Sequence, residues 1–282
     1  MATIADAVFD QTPPRRGWTL RAAAILLVTA CWFSSALFGA YILAFYGGTA
    51  TGDPSRWNES LPRLHEAATP LANIAIGAHF ATGGILLLLG PIQLIGRVRR
   101  AVPAFHRWLG RLYVLAAAIA GTGGLSFILA KGTVGGTPMN LGFGLYGALM
   151  VTAAGFTYFH ARARRLEVHR AWAIRLFALA IGSWLYRMEY GFWFLVAGKL
   201  GHTSAFSGWF DMVMAFFFYL PNLAVAEFFI RARRTAPGTP IRAAAALLLL
   251  GASAFVLLAT WVFAKDFWLP GIASGLSGRP AG

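Results

Sequence analysis

The stretch RVRRAVPAFHRWLGRLYVLAAAIAGTGGLSFILA, residues 97–130, decides the fold. Five arginines crowd its first fifteen residues, and the nineteen that follow hold no charge. A run of about 20 apolar residues is the length that crosses a bilayer core as a helix. In lipid the backbone must satisfy its own hydrogen bonds, which a helix does within one segment. A basic entrance followed by an apolar run therefore reads as a membrane span.

The same signature repeats along the chain. Apolar runs fall at about 22–46, 70–95, 108–130, 141–161, 172–198, 208–230 and 243–265. They predict an all-α, polytopic bundle of seven transmembrane helices spanning 22–265. A tail, 1–21, precedes it, and a flexible Gly/Ser-rich tail, 266–282, follows; disorder is expected from Pro270 onward. Composition agrees: 58% of residues are hydrophobic, only 12% are charged, and mean hydropathy is +0.62. A soluble domain carries about 25% charged residues. At half that density the polar surface is too small to coat a water-soluble fold. The apolar core after Arg15 and Arg16 exceeds the 7–15 residues of a signal-peptide core, so the first run reads as a retained helix.

The net charge of +14 does not point to nucleic acid, because the arginines sit in short runs between apolar segments. Seventeen basic residues fall in the N-terminal tail and in the loops after the second, fourth and sixth spans, against six on the opposite face. The positive-inside rule then places the N-terminus in the cytoplasm, the C-terminus outside, and the chain in a bacterial inner membrane. On the outer side, Gly52-Asp53-Pro54 and then Trp57 to Glu66 suggest a short interfacial helix. Cys31 is the single cysteine, which excludes an internal disulfide and gives no support to covalent c-type haem or a cysteine-based zinc site. No phosphate loop, dinucleotide fingerprint or HExxH motif occurs.

An internal repeat organises the Arg-rich loops. Arg97-Val-Arg-Arg100 is followed by His106-Arg107 and Arg111-Leu112, and Arg162-Ala-Arg-Arg165 by His169-Arg170 and Arg175-Leu176. Arg231-Ala-Arg-Arg234 begins a third copy, which continues to Arg242 without a histidine. Repeated hairpins place binding sites at the repeat interface.

The segment His106-Arg-Trp-Leu-Gly-Arg-Leu-Tyr113, with the later His169-Arg170 and Arg175, resembles a bacterial family of predicted multi-pass membrane proteins whose domain has no known function. The resemblance covers roughly 70–235 and implies a multi-helix membrane fold with no established activity. A more distant likeness is to b-type cytochromes and ferric-reductase-like bundles, which hold haem between histidines of neighbouring helices. Two full bis-histidine pairs at mid-helix spacing are missing here.

Two groups of residues carry candidate chemistry. At the inner face, His106 and His169 would ligate a b-type haem iron. Arg111 and Arg175, with neighbours Arg107 and Arg170, would hold its propionates, and His160 is a third imidazole. The alternative is that these pairs bind anionic phospholipid headgroups. In the outer half, His79, Arg187, Glu189 and Asp211 form an intramembrane polar cluster. Arg187 and Glu189 are two residues apart and cannot face each other. Asp211 is the expected partner of Arg187, and His79 of Glu189 or Asp211. Such groups are costly in lipid and are commonly functional, although a structural salt bridge explains them too. Glu227 is expected to pair with Arg231, and Pro221 to kink its helix. The aromatic runs 192–194 and 216–219 read mostly as lipid-facing or core packing, with one face left to wall a quinone or haem pocket.

Three functions compete. The leading expectation is a b-type haem or quinone-linked redox protein. The alternatives are a small proton-coupled transporter and a non-catalytic accessory or lipid-interacting protein with a membrane-protein partner.

Overall fold

A computed structural model describes residues 18–231 and 239–278, and all their regular structure is helical. Arg15, Arg16, Arg233, Arg234 and Arg279 lie outside the described residues, as does the side chain of Arg242. The helices are α1 (Trp18–Ala50), α2 (Pro70–Gln93), α3 (Gly96–Ala101), α4 (Pro103–Lys131), α5 (Gly136–Arg162), α6 (Leu166–Ala180), α7 (Gly182–Ala197), α8 (Trp209–Phe217), α9 (Leu220–Arg231), α10 (Thr239–Phe263) and α11 (Leu269–Ser277).

Among the described residues six helical stretches are long and apolar enough to cross a membrane. Their outward surfaces are apolar: Leu71, Leu129 and Leu248 are each at least 75% exposed. Proline opens α2 and α4 at their first turns, where its missing N–H removes no helical bond.

The expected fifth span is not one helix. It is α6 followed by α7, separated by Ile181, and neither half alone has the length of a span. The sixth span also breaks, between α8 and α9 at Phe218-Tyr219, just before Pro221. Proline has no N–H to give the Phe217 carbonyl four residues back and its ring clashes with that carbonyl, which explains the break.

Two other expectations are corrected. The outer loop forms a 3-10 turn at Pro54–Glu59, not a helix over Trp57 to Glu66; Asp53 caps it by accepting Ser55 N–H at 3.0 Å. The segment from Pro270, where Gly/Ser composition predicts disorder, is helical through Ser277. Its small residues are what let it pack: a Cβ on Gly275 would meet the Ala44 carbonyl, so α11 lies directly on α1.

The helices form a closed circuit, with α1 against α2, α2 against α4, α4 against α5, α5 against α6 and α8, α7 against α10, and α10 back on α1. A buried polar knot ties the closing side. Trp184 Nε1 of α7 donates to Ser34 Oγ of α1 at 2.8 Å, and Thr260 Oγ1 of α10 lies 2.6 Å from that oxygen. On the α4–α5 side, the core is made of alanines (Ala116, Ala117, Ala120, Ala153, Ala154), whose small size lets the backbones approach.

Candidate functional site

The circuit encloses a cavity of about 560 Å³, open at the end away from the Arg-rich loops. That volume lies within the 300–1,000 Å³ of small-molecule sites. Its wall is aromatic on every side: Phe38 and Tyr46 from α1, Phe80 from α2, Phe127 from α4, Phe143 from α5 and Tyr190 from α7. Tyr146 and Phe218 also line it, beside the two helix breaks. Tyr146 Oη donates to the Leu179 carbonyl at 2.8 Å, satisfying an acceptor in the last turn of α6. A Cβ on Gly182 would meet Tyr146 at 3.2 Å and Phe218 at 3.3 Å, so glycine at the break lets both rings close in.

Arg187 enters this aromatic chamber from α7. Its Nη1 donates to the Ser183 carbonyl at 3.2 Å, one turn back. Its guanidinium lies 5.1 Å from the Phe38 ring centre and 5.8 Å from that of Tyr186. Among the described residues no carboxylate lies within 4.0 Å of it. Two acids line the cavity: Glu59, which is bound by Arg56 at 2.8 Å, and Asp266, which is exposed; neither lies within 4.0 Å of Arg187.

The expected partner, Asp211, is taken. Its Oδ1 accepts Tyr190 Oη at 2.6 Å and His202 Nδ1 at 2.7 Å; its Oδ2 accepts the backbone N–H of Thr203 at 3.1 Å and of Gly208 at 3.0 Å. Asp211 is 1% exposed and folds the 198–208 loop over the cavity edge. Within that loop Phe206, a wall residue, has a left-handed backbone (φ 53°), which bulky residues rarely adopt. A Cβ on Gly201 (φ 74°) would strike the Trp209 ring.

His79 pairs with neither acid. Its Nδ1 donates to the Ala120 carbonyl of α4 at 2.8 Å, and Nε2 is the ring nitrogen left for a cavity ligand. A Cβ on Gly124 would come within 3.2 Å of this imidazole. Glu189 is not among the residues lining the chamber, and its Oε2 is buried without a hydrogen-bond partner among the described residues.

The mouth is held by Lys131, whose side chain is 3% exposed. Its Nζ donates to the Arg63 carbonyl at 2.9 Å and lies 3.4 Å from Glu66 Oε2. The hydrogen bond from Arg63, reinforced by Lys131, holds the Glu66 carboxyl below its ordinary pKa. Sequence reasoning missed His202, Tyr190 and Lys131. The signal for His202 was weak: a lone loop histidine nine residues before an aspartate at a helix start.

None of the inner-face residues lines this cavity. His169 Nδ1 donates to the Thr157 carbonyl at 2.9 Å, joining α6 to α5. His106 Nδ1 and His160 Nδ1 are buried without hydrogen-bond partners among the described residues. Arg111 lies over Trp108 at 5.2 Å. Arg175 is bound to Glu227 Oε2 through Nη2 at 2.6 Å and Nε at 3.1 Å, and so is engaged by a carboxylate of the chain itself. Glu227 also pairs with Arg231 at 2.8 Å, as its spacing predicted. Among the described residues no group of three or more His, Cys, Asp or Glu is placed to hold a metal ion.

The model of a family described as "Predicted membrane protein (DUF2306)" matches residues 76–230, more than half of the chain, and the chain belongs to that family. No curated protein and no solved structure matches it.

Proposed function

We propose that this membrane protein binds a small amphiphilic organic anion in its aromatic cavity and acts as its carrier. The observation that carries the reading is Arg187, a cation inside a largely aromatic chamber with no carboxylate within 4.0 Å among the described residues. A charge held in low dielectric without a counterion is costly. An anionic headgroup from outside the chain would supply that counterion, and the aromatic wall suits an apolar body. His79 Nε2 adds a second polar contact at the wall.

With the Arg-rich loops in the cytoplasm of a bacterial inner membrane, and α6–α7 taken as one broken crossing, the chain crosses seven times and the cavity opens outside. The Arg-rich end then lies against anionic lipid headgroups. Carriage is favoured over redox chemistry because two crossings break beside the cavity, a feature of carriers whose sites lie near the bilayer middle. Arg175, one of the arginines expected to hold a haem propionate, is occupied by Glu227.

The test is a titration in lipid nanodiscs, following tryptophan fluorescence, since Trp268 lies in the wall. The probes are 4-phenylbutyrate, 4-phenylbutanol and 4-phenylbutylamine, which share a body and differ in head charge. Saturable binding of the anion alone, lost in Arg187→Gln, is expected. Equal binding of all three, or binding of the anion undiminished in Arg187→Gln, would overturn the reading.

A further inference from the structure

The cavity has a floor and a mouth, and its charged groups are sorted between them. Its wall runs from Ala120 to Lys131 along α4, from Met139 to Met150 along α5 and from Ser183 to Phe194 along α7. Each interval is eleven residues of unbroken helix, which at about 1.5 Å per residue makes a wall about 16 Å tall. Lys131 stands at the mouth, so the α4 wall meets the floor at Ala120. The α5 helix runs the other way and reaches the floor at Met150. The α7 helix leads out to the 198–208 loop, so its floor residue is Ser183.

Two helices independently place the Arg187 guanidinium at the floor. Its Nη1 turns back to the Ser183 carbonyl of α7 at 3.2 Å. It also stands 5.1 Å from the ring centre of Phe38, the first residue of α1 to enter the wall. That helix runs outward from Phe38 to Tyr46, whose carbonyl accepts Trp57 Nε1 of the outer turn at 3.2 Å. His79 is at the floor too, since its Nδ1 meets the Ala120 carbonyl. The other acids, lysines and arginines of the wall are Glu59, Arg63, Lys131 and Asp266, and all four belong to outer loops or outer helix ends. Between the two ends stand rings such as Phe45, Phe127 and Phe143.

A cation at the bottom of a tall apolar shaft selects length as well as charge. A short anion on Arg187 leaves the rings above it uncovered, whereas an alkyl chain packs against them. Each methylene so buried raises affinity about fourfold. With carbon–carbon bonds of about 1.5 Å and angles of about 111°, an extended chain advances about 1.25 Å per carbon. We infer that the ligand is an extended monocarboxylate of about twelve carbons, bound head-first, with its carboxylate on Arg187 and its tail end at the mouth. This names the ligand class of the anion site proposed above and rests on that reading.

The test is photolabelling of the full chain in lipid nanodiscs, with labelled residues mapped by mass spectrometry. Two dodecanoate probes are used, one carrying a diazirine next to the terminal methyl and the other near the carboxylate. Only labelling that excess plain dodecanoate suppresses is counted. The terminal probe is expected on mouth residues 60–64 and 131–134, and the other on floor residues such as Phe38, His79 and Ser183. Arg187→Gln should remove both patterns. Reversed patterns, no suppressible label inside the cavity, or patterns unchanged in Arg187→Gln would each overturn the inference. The phenylbutyrate titration separates the two readings. Charge-selective binding through Arg187 without cavity labelling by dodecanoate would sink the long-chain ligand alone, whereas loss of charge selectivity would sink the anion site itself.

Discussion

Replacing Arg187 by methionine separates a structural arginine from a ligand-binding one. An arginine at the centre of a membrane helix costs about 2.5–3.5 kcal/mol relative to aqueous surroundings. Here two rings, at 5.1 and 5.8 Å, offset part of that, each by about 0.5–2 kcal/mol. No carboxylate repays the rest. Methionine keeps a long flexible side chain and a polarisable contact with the same rings. The ligand-free variant is therefore expected to gain about 1 kcal/mol, which raises the melting temperature by about 2–4 °C. Binding should move the other way. Loss of one partner of a buried charge pair costs about 2–5 kcal/mol, so phenylbutyrate affinity should fall by about 30-fold or more. The assays are a thermal melt and the fluorescence titration on the same nanodisc samples. A variant that melts several degrees lower and binds the anion as before would refute the argument, because Arg187 would then be holding the bundle together.

The other expectations follow from single contacts. All four partners of Asp211 are donors, so Asp211→Asn cannot accept from every one of them without a change in the tyrosine or histidine proton. It should cost about 1–3 kcal/mol, read by melting, and loosen the 198–208 loop, read by backbone hydrogen exchange; unchanged exchange would deny Asp211 its role. The Glu66 carboxyl is held below its ordinary value of 4.5, so its contribution is complete above that pH and is lost as pH falls through the lower folded value. Protection of residues 60–69, corrected for intrinsic exchange, should be flat from pH 7 to 5 and fall below 4.5; loss already at pH 6 would contradict the Lys131–Glu66 latch. Gly275→Ala should destabilise by about 1–3 kcal/mol through overpacking against α1. Gly47→Ala, with nothing within 4 Å, should not destabilise by that route, and equal losses would deny the close α1–α11 contact. A reduced-minus-oxidised spectrum of protein expressed with ample haem should lack a b-type α band; a band removed by His106→Ala would revive the redox reading.

Several site features were legible from local spacing. Glu227 and Arg231 stand one turn apart and do pair, and Pro221 does break its helix. Arg187 and Glu189, two residues apart, do face different surroundings. Features set by distant partners were not legible. Arg175 meets Glu227 from 52 residues away, and Lys131 donates to the Arg63 carbonyl from 68 away. The expected Arg187–Asp211 pair failed because a nearer set of donors, on Tyr190 and the 202–208 loop, reaches the carboxylate first. The small residues of the final segment look like a disordered tail until α1 is there to receive them.

Composition by itself determined that this chain lives in lipid as helices. So many apolar residues with so few charges cannot face water, and a backbone in lipid must satisfy its hydrogen bonds within each segment. The repeated arginine runs also marked one end of the bundle as distinct from the other. Only the tertiary structure decided which ionisable groups are satisfied and which are left facing a cavity. Helical periodicity says which residues share a face, but not which other helix that face will meet. That depends on close approaches at glycines and alanines scattered along the chain, and these, by closing the circuit of helices, leave Arg187 in an aromatic chamber with no carboxylate beside it.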